Sequence, residues 1–386
     1  MWGAGLRVVL VLAALVAGQG VGAQLPVPPQ VAARSYVLMD VSAGQVLAEQ
    51  QAEVAFETAS LTKLMVAYVV FDALRAQRMT LKQTFAVSTR AWKMPGSRMF
   101  IDPTMQVPVE DLIKGMLVQS GNDATMALAE GVAGSAERFV EWMNQQAKAL
   151  GMTATVYKNP EGSSEPGHTT TARDLAILAQ RLVTDFPDRM VYFGLKKYRF
   201  PGTPEANDTN RNLLLFRDPS VDGLHTGYSQ TSGYGMVATA QREWGGLKSR
   251  RLLAVLLGVS SEQLRAQESQ KLLNWGYTAF DAVQLFEARQ AVIRVPVWKG
   301  RAPELRLGRP EPLVVAVPSG QASRLRSEVI RPDPLVAPYA KGQEVGRIKI
   351  YMGEYLLTEK PLLALDAVSE SGVIGRAWDA MRLWIK

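Results

Sequence analysis

The chain is expected to fold as an α+β protein: an antiparallel sheet flanked by helices with an inserted helical part, then a small all-β domain and a C-terminal amphipathic helix. Three observations predict this. Between residues 24 and 286, two strand patterns are followed by a run of helical patterns, then by apolar strand patterns and a last helix. Strands set apart from helices in this way imply an antiparallel sheet rather than repeating βαβ units. Beyond Glu287 the texture changes to short alternating segments between Gly and Pro turns, the signature of a small β domain. The end, Val373 to Lys386, returns to helical spacing.

The elements follow in order. Arg7 precedes an unbroken apolar run, Val8 to Val16, and small residues follow as far as Val21-Gly22-Ala23. The run is shorter than the roughly 20 residues a membrane span needs. Residues 1–23 are therefore read as a signal peptide cleaved near Ala23. Ser35–Asp40 and Gln45–Glu49 form a hairpin around Val41-Ser42-Ala43-Gly44. A helix opens at Ser60 and runs to about Arg75. Val87 to Asp102 reads as loop. Val109–Val118 is helical, is interrupted at Ser120-Gly121-Asn122, and is followed by helices over Ala124–Val132 and Ala136–Leu150, the last ended by Gly151. A polar loop spans Asn159–Gly167, and Thr171 caps a helix reaching about Leu182. Tyr234–Ala240 and Leu252–Val259 are apolar strands, and Ser260–Phe286 is largely helical. In the second domain, strands are expected at Val292–Trp298, Pro312–Val317, Arg326–Ile330, Glu344–Met352 and Glu354–Thr358. The domain boundaries are thus 24–286 and 287–368, with residues 369–386 forming the terminal helix. There Ile374, Ala377, Trp378, Met381 and Ile385 fall on one arc at about 100° per residue, away from Arg376, Arg382 and Lys386. A cationic amphipathic helix with tryptophans reads as a membrane-surface anchor; its plainer alternative is a helix docked on its own β domain.

Composition narrows the chemistry. The 386 residues are 47% hydrophobic, enough for two or three cores. With no cysteine, disulfides, thiolate zinc sites and thiol catalysis are excluded. With only His168 and His225, and no H-E-x-x-H, no metal or cofactor is expected. The net charge of +7 is spread out, without basic runs, so nucleic-acid binding is not read.

Three short motifs carry the chemistry. Ser60 and Lys63 are three apart, so their side chains share one helix face. A serine hydroxyl needs a base to become a nucleophile, and a lysine with a lowered pKa can be that base. Alone, S-x-x-K is commonplace, as are Ser120-Gly121-Asn122 as a turn and His225-Thr226-Gly227. In this order, at a helix start, a helix break and just before the strand at Tyr234, the set resembles the S-x-x-K, S-x-N and K-T-G signature of the penicillin-recognising serine acyltransferases. With Val221-Asp222-Gly223-Leu224, the signal peptide, the trailing β domain and the terminal helix, the chain resembles the low-molecular-weight D-alanyl-D-alanine carboxypeptidases over nearly all its mature length. The resemblance implies a catalytic domain of the β-lactamase/transpeptidase type.

It also implies roles. Ser60 attacks the penultimate D-alanine carbonyl, Lys63 is the first candidate base, and Ser120 relays a proton to the leaving amine. Asn122 holds the substrate amide and steadies Lys63. The N–H groups of Ser60 and of Tyr228, after Gly227, form the oxyanion site. His225 and Thr226 bind the terminal carboxylate. His225 stands where most relatives carry Lys, so recognition is expected either to depend on a protonated ring or to use a neutral one. Arg265 and Arg211 are candidate carboxylate ligands whose bland alternative is solvated surface charge. Glu161 is not assigned deacylation. His168 is read as structural and Asp174 as a helix N-terminal charge.

The expected activity is removal of the terminal D-alanine from peptidoglycan stem peptides, inhibited by β-lactams. The expected location is the periplasm, peripherally on the inner membrane. The alternatives are a β-lactamase or D,D-endopeptidase on the same scaffold, or a non-catalytic β-lactam-binding wall protein.

Overall fold

A computed structural model describes residues 7–10, 25–244 and 247–372. The cleavage site read near Ala23 and the helix read at Val373–Lys386 lie outside the described residues.

A five-stranded antiparallel sheet, in the order Gln45–Gln50, Ser35–Asp40, Leu247–Val259, Gly233–Trp244, Val221–Ser229, forms the spine of the first unit. The expected hairpin and the two apolar strands are present. The edge strand Val221–Ser229 was not expected: its two glycines and polar residues read as loop, yet they pair along Gly233–Trp244. The third motif is therefore inside a strand, on an open sheet edge, rather than before one.

The helix Lys63–Arg75 lies between the sheet and the helical part. Every residue from Lys63 to Phe71 is buried, so this helix is apolar all round, as a core helix must be. It packs against the helices Val109–Val118, Asn122–Ala133, Ala136–Leu150 and Ala172–Asp185. Sequence-encoded caps hold these ends: Ser135 Oγ accepts from Arg138 N and Thr171 Oγ1 from Asp174 N, while Gly134 and Gly151 close two C-termini at positive φ.

The second unit differs from expectation at two places. Phe280–Phe286, read as helix, is a strand paired with Leu313–Pro318. The helix Glu262–Ala279 stops before it, and the alternation of Phe280, Ala282 and Gln284 is a period-2 pattern. Glu304–Gly308 is a further strand that the flanking Arg and Pro residues concealed. With Ala291–Trp298, Leu325–Ile330, Glu344–Met352, Tyr355–Ala364 and Leu335–Val336 it builds one sheet, to whose strand Leu325–Ile330 the N-terminal residues Arg7–Leu10 pair. The units meet where the Gln45 side-chain amide mimics a strand partner: its Oε1 accepts from Ala316 N at 2.8 Å and its Nε2 donates to Ala316 O at 3.3 Å.

One buried ion pair joins these parts. Arg250, fully buried, donates to Asp40 at 2.8 Å and to the Phe280 carbonyl at 2.7 Å. Asp40 in turn accepts from Ala43 N. The hairpin, the central strand and the end of the last helix thus share one charge pair. Removing one partner strands the other in a dry interior. Arg250→Ala is expected to lower the unfolding free energy by about 3–5 kcal/mol in urea titration; a loss within error of zero would show that the pair is not structural.

Candidate active site

Ser60 sits in a 3₁₀ turn, Ala59–Thr62, that leads straight into the helix beginning at Lys63. In a 3₁₀ turn residues i and i+3 eclipse, which brings the two side chains closer than an α-helix would. Ser60 is half-buried; Lys63 is completely buried. The Lys63 Nζ meets three oxygens: Ser60 Oγ at 3.2 Å, Asn122 Oδ1 at 2.8 Å and the Glu161 backbone carbonyl at 2.7 Å. Burial drives its pKa down to about 7, against a smaller upward pull from Glu161 and Asp123. An ammonium has three N–H groups and would fill all three contacts. A neutral amine has two N–H groups and one lone pair. With Asn122 and Glu161 taking the N–H groups, the lone pair is left for the Ser60 hydroxyl.

The second motif is held in place by its surroundings. Ser120 adopts a left-handed backbone, φ +58°, between the helices ending at Val118 and starting at Asn122; such a non-glycine position costs about 1–2 kcal/mol. Asn122 donates from its backbone N to Ser97 O at 2.7 Å and from Nδ2 to Pro95 O at 2.7 Å, leaving Oδ1 for Lys63. The neighbouring Asp123, buried, accepts from Met99 N and Phe100 N at 2.8 Å. It clamps the 95–101 loop onto the motif. Sequence reasoning gave Asp123 no role, since these partners lie more than twenty residues earlier in the chain.

The third motif approaches from the sheet edge. A side chain on Gly227 would meet Leu61 and Ala59, so the strand runs directly beside the Ser60 turn. On the other side Gly162, at φ +92°, has no room for a Cβ, which would lie 1.9 Å from the Ala59 carbonyl. That close approach lets the neighbouring Glu161 carbonyl reach Lys63. Glu161 therefore contributes its backbone to the site, while one of its carboxylate oxygens accepts from Ser163.

His225 Nε2 lies 3.3 Å from Ser120 Oγ. The ring is buried and its pKa is pushed down to about 3, first by burial and then by the charges of Lys63, Arg265 and Arg211. Of the two readings left open for this ring, burial and the neighbouring cations favour the neutral one. A neutral imidazole has one donor and one acceptor nitrogen and still pairs with a hydroxyl.

Arg265 is buried, not the surface arginine of its bland reading. It donates to the Gly227 carbonyl at 3.2 Å and the Gly235 carbonyl at 3.4 Å, and pairs with Glu262 at 3.0 Å. It thus braces the third-motif strand. Arg211 is exposed. Its flanking residues fix its loop: Asn210 Oδ1 accepts from Asn212 N, and Asn212 Nδ2 donates to Gly223 O on the third-motif strand. Thr226 is buried and Tyr228 exposed on the same strand. His168, read as structural, sits with Nε2 3.0 Å from Thr62 Oγ1, inside the Ser60 turn. Asp174 does more than charge a helix end, accepting from Ala154 N at 3.0 Å and Thr155 Oγ1 at 2.7 Å. Among the described residues no group of three or more His, Cys, Asp or Glu could hold a metal ion.

The arrangement is that of a serine activated by a desolvated amine, with a hydroxyl and an imidazole opposite. The family model described as D-alanyl-D-alanine carboxypeptidase (Peptidase S11) matches residues 22–261, and that of the penicillin-binding protein 5 C-terminal domain matches residues 280–370. The D-alanyl-D-alanine carboxypeptidase DacC of Escherichia coli is 38% identical over 359 residues, covering 91% of this chain and 88% of that protein. DacA of Haemophilus influenzae is 34% identical, covering 93% and 91%. The crystal structure of Haemophilus influenzae penicillin-binding protein 5 superposes with a TM-score of 0.82 at 33% identity, over 89% of this chain and all of that one. Penicillin-binding protein D2 of Listeria monocytogenes, solved in the ampicillin-bound form, superposes at 0.57 and 26% identity over 64% of this chain and 98% of its own.

The lowered Lys63 pKa has a signed consequence. The amine is a base only when neutral, and its neutral fraction grows as pH rises through about 7. The acylation rate of Ser60 is expected to climb about tenfold per pH unit below that value and level off above it. Stopped-flow acylation by a chromogenic acyl donor across pH 5–9 would check this; a flat profile would contradict it.

Proposed function

The chain belongs to the Peptidase S11 family of D-alanyl-D-alanine carboxypeptidases, and from that premise we propose that it removes the terminal D-alanine of peptidoglycan stem peptides through an acyl-enzyme on Ser60. The observation that carries this reading is the Lys63 amine, buried and 3.2 Å from the Ser60 hydroxyl. Ser60 Oγ attacks the carbonyl carbon of the penultimate D-alanine while Lys63 takes its proton. The oxyanion is met by the backbone N–H groups of Ser60 and Tyr228. The C–N bond then breaks, and D-alanine leaves as its amine takes a proton delivered through Ser120. Water hydrolyses the Ser60 ester, releasing the shortened peptide and restoring the hydroxyl.

The substrate's terminal carboxylate has Thr226 and the exposed Arg211 to meet it, with Arg265 fixing the strand from which Thr226 projects. Neutral His225 serves chiefly as the hydrogen-bond partner of Ser120 and offers its other ring nitrogen to substrate. A β-lactam presents a strained amide in the place of the scissile bond and acylates Ser60. The N-terminal leader and the amphipathic terminal segment support a periplasmic protein held peripherally at the inner membrane. Among the described residues no helix is long and apolar enough to cross a membrane.

Mass spectrometry after exposure to penicillin is expected to find one covalent adduct, on the peptide carrying Ser60. Ser60→Ala is expected to lose the adduct and at least about a thousandfold in D-alanine release from a pentapeptide. Ser120→Ala is expected to lose about 10²–10⁴-fold. An adduct elsewhere, or D-alanine release that survives Ser60→Ala, would overturn the assignment. Faster cleavage of a cross-linked dimer than of a pentapeptide would favour the endopeptidase reading.

A further inference from the structure

We propose that the β domain carries a binding site for the head group of an anionic phospholipid, in the cleft between Arg289, Arg306 and Lys341. This rests on the reading that the protein sits at a membrane surface. The cleft has a volume of about 280 Å³. Leu363, Leu365 and Asp366 also line it. The walls are built from fixed backbone. Arg289 N donates to Arg309 O at 2.8 Å, Leu365 N to Arg306 O at 2.9 Å, and Gly342 N to Ala364 O at 2.8 Å. The cavity is thus formed before any ligand arrives.

Its charges cancel only in part, since Lys341 also acts on Asp366 at longer range. Arg306 is committed to Asp366, with contacts of 2.7 and 3.0 Å. Among the described residues neither Arg289 nor Lys341 has a carboxylate within ion-pair distance. Two cations therefore line a cleft that leucines also line. That pairing suits an amphiphile, with a phosphate at the two cations and the start of its hydrocarbon against Leu363 and Leu365.

The position fits as well. From Asp366 the chain runs beside Tyr339 and Lys299 to Ser371, held by Val368 N to Tyr339 O and Ser371 N to Lys299 O. The seven residues from Asp366 to Val373 span at most about 24 Å. The cationic amphipathic segment from Val373 onward therefore starts within that reach of the cleft. A surface that takes up the segment brings head groups to the cleft.

The test uses the full-length chain and vesicles of phosphatidylcholine, with and without added phosphatidylglycerol. Arg289→Glu with Lys341→Glu is expected to lose at least about tenfold of the preference for phosphatidylglycerol vesicles, with unchanged penicillin acylation as the check on folding. The milder Arg289→Gln with Lys341→Gln pair is expected to lose less of it, in the same order. Trp378→Glu is expected to weaken binding to both vesicle types alike. An unchanged lipid preference in both double variants overturns the proposal. So does a loss of binding to insoluble peptidoglycan with vesicle preference intact, which would assign the cleft to a wall polymer. If Trp378→Glu has no effect while the double variants lose the preference, the cleft stands and the reading of the terminal segment fails.

Discussion

A fully buried lysine amine is the constraint on which this site depends. Burying an ammonium is costly unless it is paired, and no carboxylate touches Lys63. The protein answers with neutral oxygens: an amide from Asn122, a backbone carbonyl from Glu161 and the Ser60 hydroxyl. These satisfy an amine without fixing its charge. The result is a group poised near neutrality, able to accept the serine proton and return it. A salt-bridged lysine in the same place would be a permanent cation and no base.

Much of the surrounding fold serves those three contacts. The Glu161 carbonyl reaches Lys63 because Gly162 lets its loop press against the Ala59 carbonyl. Ala59 and Ser120 both carry positive φ, so the backbone is strained on both sides of the nucleophile. Asp123 holds the 95–101 loop by accepting from three of its backbone N–H groups, and Asn122 by donating to two of its carbonyls, which keeps the Asn122 amide turned toward the amine. Arg265 fixes the edge strand by its carbonyls. Burial and the nearby charges of Lys63, Arg265 and Arg211 push the His225 ring toward its neutral form.

What the sequence revealed of this was the part encoded locally. The three-residue spacing of Ser60 and Lys63, the helix break at Ser120 and the caps at Thr171 and Gly151 are short-range signals, and the structure has each where it was read. The hidden parts are long-range. A backbone carbonyl such as that of Glu161 leaves no mark in a residue pattern. Asp123 was given no role, because its bonds reach a loop more than twenty residues earlier in the chain. Strand Val221–Ser229 was masked by its glycines, of which Gly227 allows close approach to the Ser60 turn. Phe280–Phe286 was taken into the preceding helix because its pairing partner lies beyond residue 312. His225 was recognised as a departure, but its charge state depends on three cations that only the fold brings together.

The most direct test of this account is the ionisation of Lys63 itself. Carbon-13 NMR of the lysine side chains, with the Lys63 signal identified through Lys63→Arg, reports its protonation across pH. A midpoint near 7 is the result the desolvated, neutral-oxygen cage requires. A midpoint at the ordinary lysine value of 10.5 would mean that the amine is a fixed cation, and the proton acceptor for Ser60 would have to be sought elsewhere.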